Sequence, residues 1–220
     1  MMYHVRLLKG LRQPYMNAQV LVKAEEITGF WRKIVLLAVL TIILSAAATY
    51  FGIGNEIVSK QIGNLTSTEF EAMKIMFALG QILWSLFAAL IVITVPSIFF
   101  WAASDIEWKK FVVVQLYVLG IFLLEKIITA IFTITMGLPE ISNPFSLGVI
   151  GQMFTTNHIV LQFLAEITLF KIWAIVLQYK YVKILSEKSP KMTLLIVLSL
   201  NVIILIAAVF LNIMQLEKLL

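Results

Sequence analysis

Four ionisable side chains lie inside apolar sequence long enough to cross a membrane. Glu125 and Lys126 stand side by side in the run Phe111–Met136, and Glu166 and Lys171 stand in the run Ile159–Tyr181. A charge at the centre of a bilayer-spanning helix costs roughly 2.5–3.5 kcal/mol on insertion-derived scales, whereas each strongly apolar residue returns only about 0.3–0.6 kcal/mol. Such groups therefore need partners. If the two runs form an antiparallel hairpin, a rise of ~1.5 Å per residue puts Glu125 at nearly the depth of Lys171, and Lys126 within about one turn of Glu166. The spacing predicts a buried charge network of crossed pairs, Glu125 with Lys171 and Lys126 with Glu166. Two kinds of chemistry fit such a set. One is a proton or ion relay built on a carboxylate in a polar cavity; the other is a balanced set that only fixes which helices pack together. The neighbouring lysines hold the carboxylates ionised, which favours structure over transport. A polar stripe accompanies the charges, with Thr129 and Thr133 beyond Lys126 and with Gln162 four residues before Glu166.

Other chemistry is poorly provided for. The histidines are His4 and His158, which the topology below puts on opposite sides of a membrane, and cysteine is absent. Neither a paired-histidine metal site nor a thiolate site or disulfide can form. The chain contains no His-Glu-x-x-His zinc motif, no Gly-x-Ser-x-Gly elbow and no phosphate-binding loop. It is read as non-enzymatic, with no catalytic residue, cofactor or metal.

The elements that must position the charges follow from composition. Apolar residues make up 61% of the 220, charged residues 13%, and the mean hydropathy is +0.98, far from the usual soluble balance of about 45–50% and about 25%. Runs long enough for a hydrocarbon core of ~30 Å lie at Ile34–Ile53, Ile75–Trp101, Phe111–Met136, Ile159–Tyr181 and Met192–Met214. The fold class is all-α, a polytopic membrane protein with five transmembrane helices. Residues 1–30 form an N-terminal segment and residues 31–220 the five-helix domain. The net charge of +5 follows topology rather than a nucleic-acid partner. Arg6, Lys9, Arg12, Lys23, Arg32 and Lys33 precede the first run, and Lys109, Lys110, Lys180, Lys183, Lys188 and Lys191 occupy the even connections. Lys60, Lys74 and Lys218 stand opposite. This asymmetry predicts a cytoplasmic N-terminus and an external C-terminus.

Within residues 1–30, Pro14 starts a helix. Tyr15, Ala18, Leu21 and Val22 fall at helical spacing, while Asn17, Lys23, Glu25 and Glu26 face elsewhere. The expectation is an amphipathic interfacial helix ending near Gly29, with Phe30 to Lys33 anchoring the first span at the headgroups. The first external loop holds a glycosylation sequon, Asn64-Leu65-Thr66. In the longest external connection, Gly137 to His158, the apolar middle Phe145–Ile150 is expected to rest on the membrane surface.

Two stretches carry a family resemblance: Leu11-x-x-Pro14 with Ala18 and Leu21 ahead of the first span, and Phe170-Lys171-Ile172-Trp173-x-x-x-Leu177 in the fourth, with Lys191 in the turn before the fifth. In these the chain resembles the YIP family of Rab-interacting membrane proteins, specifically its bacterial branch. The resemblance implies a membrane adaptor or accessory subunit without catalytic activity in a bacterial cell membrane. Its partners would be the lipid bilayer and other integral membrane proteins, such as an ABC-type exporter, with protection against membrane-active peptides as a role. The alternative from another class is a small ion- or proton-coupled carrier using Glu125 and Glu166.

Overall fold

The computed structural model describes residues 1–54, 66–138 and 142–214. Lys60, Lys218 and the sequon residues Asn64 and Leu65 lie outside them. In chain order the elements are β1 (Met2–His4), α1 (Leu7–Arg12), α2 (Pro14–Val22), β2 (Glu26–Thr28), α3 (Phe30–Tyr50), α4 (Ser67–Ala102), α5 (Trp108–Met136), α6 (Leu147–Gly151), α7 (His158–Ala165), α8 (Leu169–Leu185) and α9 (Pro190–Met214).

Helices α3, α4, α5 and α9 are long and apolar enough to cross a membrane, so the chain is an all-α protein of the integral membrane kind. Its centre is α5, in which every residue from Phe111 to Leu119 is buried. Helices α3 and α4 pack against each other and against α5, α8 packs along α5, and α9 packs along α8. By contrast α3, α4 and α9 turn most of their apolar side chains outward, as helices solvated by lipid do.

The fourth apolar run is not one helix. It divides into α7 and α8 at Glu166-Ile167-Thr168, because the Thr168 hydroxyl accepts a hydrogen bond from the Lys171 backbone N–H at 3.1 Å and so caps a new helix. Helix α8 has 17 residues, about 25 Å of rise. The hairpin with α5 has the antiparallel sense expected from sequence. Gln178 meets Gln115 at one end, and Thr168 meets Glu125 ten residues forward along α5 and ten residues back along α8.

The N-terminal segment differs from the single surface helix expected. Helix α2 ends at Val22 rather than near Gly29, since residues 26–28 leave the helix to pair in parallel with β1, Met2 opposite Glu26 and His4 opposite Thr28. Gly29, at φ +76°, then turns the chain into α3. Asn17 is buried and Tyr15 exposed, the reverse of the expected facing. The face that α2 buries, Asn17, Ala18 and Leu21, lies against protein, with α2 seated on α8 and α1 on α5.

Candidate functional site at the broken helix

The break at residues 166–168 brings three of the four predicted charges together. Glu166 and Lys171 form an ion pair. The Thr168 side chain hydrogen-bonds the Glu125 carboxylate, which lies in the field of both Lys171 and Glu166. In an unbroken helix, residues five apart point about 140° away from each other; the bend at Ile167 lets Lys171 turn back onto Glu166. The ion-pair partner of Lys171 is therefore its neighbour in sequence, not Glu125 as the crossed scheme had it. Lys126 projects to another side of α5, where its ammonium donates to Ser45 of α3 at 2.9 Å and Ser85 of α4 at 3.2 Å. Ser45 also bonds Ser85, and Thr49 bonds Gln81 one turn further out. The α3–α4 seam is thus a polar ladder that ends on Lys126.

The segment that closes the break was expected on the membrane surface. Its backbone pairs with the interrupted helix while Leu147, Val149 and Ile150 keep exposed side chains: the Leu147 N–H donates to the Ile167 carbonyl at 3.0 Å, and the Leu169 N–H donates to the Phe145 carbonyl at 2.9 Å. Ser146 lies opposite Thr168 across this bridge, and both are buried. Irregular backbone at membrane depth is tolerated only where protein satisfies it, and residues 145–147 do so here. The Phe145 ring wedges between Phe132 and Phe170, 5.6 Å from each. Helix α6 then lies so close to α7 that a Cβ on Gly151 would stand 2.6 Å from a Leu164 methyl. Phe145→Ala removes the wedge and is expected to lower stability by about 3 kcal/mol. The check is the unfolding midpoint of purified protein in detergent; an unchanged midpoint would mean that the segment does not hold the break closed.

A second polar centre joins the N-terminal segment to the bundle, and sequence reasoning missed it. Asn17 donates through Nδ2 to the Tyr117 hydroxyl at 3.1 Å and the Tyr181 hydroxyl at 2.9 Å. Tyr3 bonds Tyr117 at 2.7 Å, and Tyr181 donates to the Gly10 carbonyl at 3.0 Å. Burial pushes the Tyr3 phenol above its ordinary pKa, so the network is neutral at physiological pH. Two signals existed in the sequence, namely a lone amide amid apolar spacing and two tyrosines near the same end of their runs. Beside it, Asn201 donates to Gln178 at 2.8 Å and Gln178 to Gln115 at 3.0 Å. The chain of amides ends on Gln115 Nε2, which has no protein partner among the described residues.

Among the described residues no three histidine, cysteine or acidic side chains gather as a metal would require. The site can hold charge in place, exchange a proton at a carboxylate, or lock helices in register. Comparison of the chain with protein-family models, with curated proteins and with solved structures gave no match.

Proposed function

We propose that this protein is a non-enzymatic membrane adaptor or accessory subunit of the YIP type, resident in a bacterial cell membrane. The observation that carries this reading is how the charges are spent inside the bundle. Glu166 is paired with Lys171, Glu125 is bonded by Thr168, and Lys126 is bonded by Ser45 and Ser85. Groups so engaged fix which helices meet, and the outward faces of α3, α4 and α9 are left for lipid and for the helices of other membrane proteins. The chain crosses the membrane five times, with its N-terminus cytoplasmic, its C-terminus external and α2 at the interface. In favour of a fifth crossing, α8 runs antiparallel to α5 and is joined to α9 by only four residues, 186–189. Purification in gentle detergent, followed by identification of what accompanies the protein, tests the adaptor. A stoichiometric membrane partner, such as an ABC-type exporter, is the expected result; a stable homogeneous oligomer free of other proteins would count against it.

A carrier is the second reading, favoured by one observation. A helix interrupted beside two carboxylates and a lysine is the arrangement from which ion-coupled sites are built. In that case Glu125 and Glu166 bind the coupling ion or proton.

A further inference from the structure

The N-terminal hairpin lies deeper than its place ahead of the first span suggests. Lys126 touches Ser45, and each is fifteen residues from the start of its span, counting from Phe111 and from Phe30. The two helices enter from the same side, where Lys110 also donates to the Val22 carbonyl at 2.9 Å. Phe111 is therefore level with Phe30, whose neighbours Trp31, Arg32 and Lys33 mark the headgroups. Tyr117, six residues on, is about 9 Å further in. Gly10 and Asn17 touch the far end of the Tyr117 side chain, which leans back toward the start of α5, so α1 and α2 sit between the level of Phe111 and that depth. A surface helix buries its apolar side about 5–10 Å into the headgroup and acyl boundary, which is the same level.

The side of the hairpin turned away from the bundle suits that environment. Leu8 is 83% exposed, Met16 62% and Tyr15 55%, beside the exposed cations Lys9 and Arg12. From Leu7 to Lys23 there is no acidic residue. We propose that this outward face binds anionic lipid in the leaflet on the N-terminal side, with Leu8, Tyr15 and Met16 among the upper acyl carbons and Lys9 and Arg12 on the headgroup phosphates. The proposal rests on the interfacial reading of α2 given above and adds the ligand to it.

The absence of cysteine from the chain makes the test direct. Single-cysteine variants Leu8→Cys and Met16→Cys of the full-length protein, spin-labelled in nanodiscs, are compared with Asp105→Cys in the loop between α4 and α5. Leu8 and Met16 labels relaxed more by dissolved oxygen than by a water-soluble nickel chelate, with the reverse at Asp105, support the depth. Native mass spectrometry then reads retention of phosphatidylglycerol over phosphatidylcholine. Replacing Lys9 and Arg12 together by Gln should cut that preference on the order of thirtyfold, the equivalent of about 1 kcal/mol for each side chain. Lys180→Gln, on the same side but off this face, should leave it unchanged. Deep labels without any lipid preference overturn the anionic ligand and leave the interfacial reading standing. Labels at Leu8 and Met16 as water-accessible as Asp105 overturn both. Labels exposed in lipid alone but covered by a co-purified protein replace lipid with a protein partner and also overturn the proposal.

Discussion

Gly10→Ala is expected to unseat the N-terminal segment. A Cβ at this position would stand 2.4 Å from Cζ of Tyr117, well inside van der Waals contact. The ring has nowhere to go: it is fully buried, packs at 5.5 Å from Tyr181, and its hydroxyl is engaged by Tyr3 and Asn17. Relief must come from α1, and moving α1 breaks the bond from Tyr181 to the Gly10 carbonyl. Overpacking of this kind costs about 1–3 kcal/mol, and an unpaired buried hydroxyl adds about 1 kcal/mol or more. Limited trypsin digestion should reveal the change as faster cleavage after Lys9 and Arg12 than in the parent protein. Gly10→Ala combined with Tyr117→Leu makes room for the methyl and should restore part of the protection. Equal digestion of Gly10→Ala and the parent would place the hairpin elsewhere.

Lys171 is expected to be the most sensitive of the four charges. Its removal takes away the ammonium that stands beside both the Glu166 and the Glu125 carboxylates. Breaking this half-buried pair from one side costs on the order of 2 kcal/mol, so Lys171→Met should reduce the folded fraction in a detergent-denaturation series. Glu166→Gln with Lys171→Gln removes the charge pair together and should recover most of the loss. Glu125→Gln should be mild, about 1 kcal/mol, because an amide oxygen still accepts from Thr168. The order of the three separates the two functional readings as well. A folded Glu125→Gln protein that retains activity fits the adaptor, while folded but inactive protein would make that carboxylate a working group and put the carrier first.

The sense and depth of the hairpin were legible because the rise of a helix is fixed and charges cannot be left facing lipid. From those two facts Glu125 had to lie near Lys171, and it does. The pairing was not legible, because it depends on where the backbone stops being helical. The local signal is slight: two β-branched residues, Ile167 and Thr168, the second able to cap. Periodicity picked out Ala18 and Leu21 on the surface buried by α2 but not Asn17. Asn17 finds its partners 100 and 164 residues away, and no pattern within residues 1–30 points to them. The same applies to Phe145. Its run is apolar enough for the interface, and only the gap at Ile167 explains why the Phe145 ring turns toward Phe132 and Phe170.

The distance in sequence between Gly10 and Tyr181 has a consequence for biosynthesis. The hydroxyl that latches α1 belongs to a residue 171 positions later, so the N-terminal hairpin is made long before its latch. At roughly 5–20 residues per second, it waits on the order of ten to thirty seconds while α3, α4 and α5 are synthesised and inserted. Through that interval its apolar surface has neither α8 nor the finished bundle to cover it. Docking of this segment therefore reports completion of the chain through α8, and a polypeptide truncated before Leu169 would carry an unlatched N-terminus.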